Sequence, residues 1–115
     1  MNEISRLTNL ILDFRNNREW KQFHNPKDVA LSLVLEAVEV MEHFQWKSQE
    51  EIFDYLSKEK DRIGEELADV FYWVLLMSHD LGIDVGDALE RKLKKNAEKY
   101  PVEKAKGTHK KYTEL

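Results

Sequence analysis

Two pairs of carboxylates dominate the chemistry this chain can do: Glu36-x-x-Glu39 and Glu66-x-x-Asp69. The i,i+3 spacing stacks the acids of each pair on one helix face, a single turn apart. Both pairs lie in apolar runs, Leu31 to Met41 and Ile63 to Met77, where a helix normally buries its surface. Carboxylates crowded together and partly removed from water resist ionisation unless a cation neutralises them. Hard oxygen ligands on two packed helices predict a magnesium site, with manganese the other ion such ligands accept. Magnesium in a cleft predicts phosphate chemistry. An isolated Glu-x-x-Glu is ordinary on exposed helices, and Glu50, Glu51, Glu59 and Glu65 belong to that background.

The rival metal reading is a di-iron carboxylate bundle, which needs Glu-x-x-His on two helices. Here His43 follows Glu39 by four residues and His79 follows Asp69 by ten, so neither makes that pair. The four histidines do not cluster as zinc ligands, and all-oxygen ligation favours magnesium or manganese. Trp20, Trp46 and Trp73 fill volume as core residues or, beside a metal–phosphate site, stack on a nucleobase. Lys92, Asn96 and Lys99 recur at i, i+4 and i+7. They form either a solvated stripe or, opposite a magnesium site, a triphosphate clamp. The absence of a Gly-rich phosphate loop excludes a P-loop or Rossmann basis for binding.

The elements that must position these groups read as helices throughout. Ile4, Leu7, Leu10, Ile11 and Phe14 form one stripe of a helix from Glu3 to about Asn16. Trp20 to His24 reads as a helix end or ordered loop. Asn25-Pro26 supplies an N-cap and a first-turn proline for a helix to about Phe44. That helix is apolar on nearly every side, which predicts a central position with neighbours on several faces. Ser48-x-x-Glu51 is a capping box for a short helix through Tyr55. A further helix is predicted from Ser57 or Lys58 to Leu81, with Ile63, Leu67, Val70, Val74 and Leu81 on its core face and Gly82 at its end. Asp84 caps a last helix, about Val85 to Tyr100, which Pro101 stops. Residues 102–115 read as an extended or mobile basic tail after a catalytic domain of residues 1–101.

Composition bounds the rest. A chain of 115 residues holds one core, and 42% hydrophobic with 35% charged residues fits a soluble helical protein. No apolar stretch is long enough to span a bilayer, and Met1-Asn2-Glu3 does not begin a signal peptide. Without cysteine there is no disulfide or thiolate zinc site, which fits the cytoplasm. The net charge of −4 argues against nucleic-acid binding, although residues 91–115 hold nine Lys or Arg against three Glu.

Several blocks in order now carry a family resemblance. They are Arg18-Glu19-Trp20-Lys21-Gln22-Phe23-His24-Asn25-Pro26, Glu42-His43-Phe44-Gln45-Trp46, Glu65-Glu66-Leu67-Ala68-Asp69-Val70, Leu81-Gly82-Ile83-Asp84, Asn96 to Pro101, and Lys111-Tyr112-Thr113-Glu114-Leu115. With 26 residues between Glu39 and Glu66, the chain resembles the MazG-like all-α nucleoside triphosphate pyrophosphohydrolases, most closely the dCTP pyrophosphatase branch. The resemblance implies an all-α antiparallel bundle of about four main helices, assembled as a dimer or dimer of dimers. It implies magnesium-dependent hydrolysis of a nucleoside triphosphate, dCTP or a modified dCTP, to monophosphate and pyrophosphate for pool cleansing. Glu36, Glu39, Glu66 and Asp69 would hold the metal, with Glu39 also orienting water or taking its proton. Trp20, His24, Trp46 and Trp73 match base- and sugar-side positions, and Lys92, Asn96 and Lys99 the phosphate side. Lys111 and Tyr112 would contact substrate from a tail covering a neighbouring subunit's site. Two departures stand out: Ile11 replaces a base-recognising histidine, and Trp73 replaces a familiar tyrosine. They leave open dUTP, dATP or an oxidised nucleotide as substrate, and a non-catalytic adaptor keeping the fold is the reading from another class.

Overall fold

The computed structural model describes residues 2–115. Among them are five α-helices, two 3₁₀ turns and no strand. They divide into two compact units, Met1–Gly82 and Ile83–Leu115.

In the first unit, α1 covers Glu3–Asn17 and opens on Asn2, whose side chain accepts a hydrogen bond from the Ser5 amide. Glu19, in the left-handed region at φ 55°, turns the chain into a 3₁₀ turn at Trp20–Phe23. Helix α2, Pro26–Glu42, starts as the Asn25-Pro26 signal predicts, with the Asn25 side chain accepting from the Asp28 amide at 2.9 Å. A short connection containing Trp46, also left-handed at φ 70°, leads to α3, Gln49–Asp80. Both halves of the Ser48–Glu51 capping box are formed.

The sequence predicts a break before residue 58. The structure instead carries one helical run across a kink at Glu59 (φ −116°, ψ 19°). No glycine or proline stands between Tyr55 and Ile63, so nothing prevents the helical hydrogen bonds from resuming after the kink. Gly82, at φ 68°, takes the left-handed position after the helix end.

Helix α2 packs along α3 as an antiparallel hairpin, and α1 packs on α3 near its C-terminal end. The apolar core is small: Val29, Ile63, Leu75 and Leu76 are its buried hydrophobic residues. Leu67 and Leu81, predicted for the core face, are 53% and 46% exposed. Leu67 lies to the side of the stripe of Ile63, Glu66, Val70 and Val74, and Leu81 has already left the helix as its C-cap.

Helix α2 buries one face, through Val29 and the half-buried Leu33, Glu36 and Val40. Its opposite face remains bare: Leu31, Val34, Leu35 and Met41 are 54%, 58%, 64% and 50% exposed. Among the described residues, the neighbours expected on several sides of this helix do not cover that face.

The second unit is built on α4, Val85–Lys99, which Asp84 caps by accepting from the Asp87 amide at 3.0 Å. After Pro101 the chain forms a further short helix, α5 at Val102–Ala105, and a 3₁₀ turn at Tyr112–Glu114. The segment expected to be extended thus has local structure. Tyr112 packs edge-on to Tyr100 at 6.0 Å between ring centres, and Lys99 Nζ lies 4.9 Å from its ring centre.

Candidate active site

Antiparallel pairing of α2 and α3 brings the two acidic motifs face to face. Carboxylate oxygens of Glu36, Glu39 and Asp69 lie within 4.8 Å of one another. Glu66 stands apart from that trio. Its Oε2 is 3.5 Å from Nε2 of His43, a residue 7% exposed at the end of α2. The Oε2 atoms of Glu36 and Glu66 are buried and accept no hydrogen bond. Burial raises the proton affinity of Glu36 most, followed by the charge of Glu39, a hydrogen bond with it, and the charges of Asp69 and Glu66. Crowded carboxylates with unsatisfied buried oxygens are what an oxygen-liganded divalent cation requires. The donor set fits magnesium or manganese.

A cleft of about 440 Å³ opens beside the acids, lined by Leu10, Ile11, Phe14, Trp20, Tyr72 and Trp73 as well as Glu36 and Asp69. Its aromatic residues interlock edge to face. Ring centres are 5.7 Å apart for Phe14–Trp20, 6.2 Å for Phe14–Tyr72 and 5.0 Å for Tyr72–Trp73. A flat apolar group can enter between such rings while its charged end reaches the acids. A smaller cavity of about 170 Å³ lies on the other side of the acids, lined by Glu39, Glu42, His43, Tyr55, Arg62 and Glu66.

Trp20 and Trp73 thus line the cleft, and so does Ile11. The His24 ring packs edge-on to Trp73 at 5.4 Å but lines a neighbouring cavity of about 330 Å³, with Lys21, Asn25, His79 and Asp80. Burial, reinforced by the charge of Arg15, lowers the His24 proton affinity, against the opposing pull of Asp80. Trp46 does not line the cleft of its own chain: it is 92% exposed on a left-handed backbone. Lys92, Asn96 and Lys99 lie on α4, while Lys111 and Tyr112 lie in the C-terminal segment, all in the second unit.

Sequence reasoning missed four participants. Phe14 was assigned to the apolar stripe of α1, and Tyr72 carried no spacing signal. Burial raises the Tyr72 proton affinity, although Arg15 and Arg18 pull it down. His43 makes no i,i+3 pair with Glu36 or Glu39, yet its Nε2 stands 3.5 Å from Glu66 Oε2 across the hairpin. Arg15, read as part of a polar helix end, is 2% exposed and forms a two-pronged pair with Asp80 at 2.8 and 3.0 Å.

The MazG-like family model matches residues 31–115, a span that contains all four acids. The chain belongs to the MazG-like family. Among its curated relatives, dCTP pyrophosphatase 1 of Mus musculus is 36% identical over 105 residues, covering 90% of this chain and 62% of that protein. The Homo sapiens protein of the same name is 34% identical over the same length. The chain therefore spans 62% of the length of these relatives. A pyrophosphatase of known structure from Archaeoglobus fulgidus is 35% identical, with a TM-score of 0.82 over 88% of this chain and 94% of that one. Trp20 and His24 lie before the segment that the MazG-like model matches.

Proposed function

We propose that this MazG-like protein is a divalent-metal-dependent pyrophosphohydrolase that converts dCTP, or a modified dCTP, to the monophosphate and pyrophosphate. The observation that carries the reading is the trio Glu36, Glu39 and Asp69, within 4.8 Å of one another at the edge of an aromatic cleft of about 440 Å³. The relatives called dCTP pyrophosphatase 1 support the choice of reaction and of base. Glu36, Glu39, Glu66 and Asp69 would hold magnesium or manganese, which when bound supplies positive charge to the phosphate oxygens and acidifies water. Glu39, the exposed acid of α2, orients the attacking water and takes its proton as the phosphoanhydride bond breaks. Trp20, Phe14, Tyr72 and Trp73 hold the base away from water. Ile11 offers the base no polar contact, which relaxes discrimination among bases. By the resemblance, Lys92, Asn96 and Lys99 are the candidates for contacts to the phosphates, and Lys111 and Tyr112 for contacts from a neighbouring subunit's tail.

The bare α2 face of Leu31, Val34, Leu35 and Met41 supports a homo-oligomer, because an apolar stripe at helical spacing buries well against its own copy.

The deciding assay measures pyrophosphate release from a panel of normal and modified nucleoside triphosphates, with magnesium and with chelator. Pyrophosphate formed only with metal, and fastest from cytosine nucleotides, is the expected result. Orthophosphate in its place overturns the assigned bond, and no turnover across the panel leaves the adaptor reading. Light scattering on Leu35→Glu should show a smaller species than the parent protein; an unchanged mass removes α2 from the interface.

A further inference from the structure

Glu66 differs from the other acids in what surrounds it. Its Oε2 is buried without a hydrogen bond, and a ring nitrogen of His43 stands 3.5 Å away. That is longer than a formed N–H···O bond but within the reach of a small side-chain rotation. The opposite ring nitrogen, Nδ1, forms a short hydrogen bond with the Tyr55 hydroxyl. A neutral imidazole has one donor and one acceptor. A Tyr55 O–H donating to Nδ1 leaves the proton on Nε2, aimed at Glu66. Tyr55 is itself held by the hairpin connection: Lys47 Nζ lies 4.3 Å from its ring centre, and Phe44 packs edge-on at 6.5 Å.

We infer that Tyr55 and His43 are positioning residues that hold Glu66 as a metal ligand, acting from the far side of the acids. This rests on the metal site proposed above. It adds a chain of contacts, Tyr55 to His43 to Glu66, that ties the fourth carboxylate to the turn between α2 and α3. A ligand fixed by such a partner loses less freedom when it binds an ion, and outer partners of this kind are commonly worth 10- to 100-fold in metal affinity. His43 is the C-cap of α2 and Glu66 lies on α3, so the same contact fixes the hairpin where Glu39 faces the smaller cavity.

The test titrates Mn2+ alone into the full chain and reads free ion by electron paramagnetic resonance, with thermal unfolding recorded in parallel. His43→Leu keeps the volume but removes the donor, and should weaken Mn2+ binding about tenfold. His43→Gln restores an N–H near the Nε2 position and should recover most of that loss. Tyr55→Phe removes only the hydroxyl and should weaken binding several-fold. At saturating metal, each variant should keep the parent KM for nucleotide while its metal half-saturation shifts. Equal Mn2+ affinity in the parent, His43→Leu and Tyr55→Phe overturns the inference and leaves the pair as packing. A parent that binds no Mn2+ instead removes the metal site itself, and the positioning role with it. Should His43→Leu fail to fold, Tyr55→Phe alone decides, because it deletes one oxygen and keeps the ring.

Discussion

Helix α3 presents carboxylates to its neighbours at two places, and it treats them in opposite ways. Near its C-terminus, Asp80 meets the buried Arg15 guanidinium through two hydrogen bonds at 2.8 and 3.0 Å. About three helical turns further back, Glu66 and Asp69 meet Glu36 and Glu39, and among the described residues no Lys or Arg forms an ion pair with any of them. The first site is complete in charge: opposite charges meet through a two-pronged contact, although Arg15 Nε is buried without a hydrogen bond, and one partner on α1 ties that helix down. The second is incomplete in the same terms, since it gathers like charges and leaves two buried oxygens unbonded. A fold able to neutralise Asp80 with arginine could have done the same for Asp69. The proposed metal site would account for that difference, because a bound cation would carry the missing charge.

The sharpest way to break this comparison is to remove a charge from the incomplete site. Asp69→Asn keeps shape and removes a ligand, so pyrophosphate release should fall about a thousandfold or more, since metal stabilisation of the reacting phosphates is worth several kcal/mol. Thermal stability without metal should hold or rise, because a like charge has gone. A variant that loses activity only in proportion to lost stability would place Asp69 among the structural charges, with Asp80.

The same exchange at the complete site should do the reverse. Asp80→Asn leaves a buried guanidinium without its counter-charge and should cost about 3 kcal/mol, or roughly 10 °C in Tm. Metal affinity should change little. Burial by itself pushes the Asp80 carboxyl up, but the hydrogen bond and charge of Arg15, helped by His79 and His24, hold it below its ordinary value of 3.8. A folded value below the unfolded one gives stability that is complete above the unfolded value and drains as pH falls through the folded one. Chemical unfolding should therefore show a constant gap between parent and Asp80→Asn above about pH 5, closing below about pH 4. A gap that persists in acid would assign the loss to packing and not to the ion pair.

The two sites were not equally legible in the sequence. The acidic pairs announce themselves through i,i+3 spacing inside apolar runs, and the cap at Asn25 places the helix that carries the first of them. Arg15 and Asp80 gave no such signal: 64 residues lie between them, and a lone arginine at a helix end reads as solvated. His43 was invisible for a related reason. Local spacing detects partners on one helix, whereas His43 finds Glu66 on the next. The kink at Glu59 and the exposure of Leu67 escaped because helical period alone does not fix which way a long helix faces. Trp46 was legible as an aromatic near the acids, but its side chain is left bare in the single chain, where sequence offers no view of a neighbour.

The smallest expected effect tests whether the incomplete site costs the protein anything when empty of cation. Glu36 has its proton affinity raised above the ordinary 4.5, by burial first and by Glu39, Asp69 and Glu66 after it. A folded value above the unfolded one contributes stability that is full below the unfolded value and is lost as pH rises through the folded one. In chelator, parent and Glu36→Gln should therefore unfold alike near pH 4. The variant should gain about 1–3 °C as pH rises toward neutrality, because only the parent has a crowded carboxylate to ionise. Adding magnesium should invert the order at neutral pH, since the parent gains binding free energy that the amide forfeits. Differential scanning calorimetry across that range, with and without metal, reads both signs. If Glu36→Gln is the less stable protein in chelator at neutral pH, then Glu36 is already satisfied within the chain. The contrast with Asp80 would then collapse at Glu36.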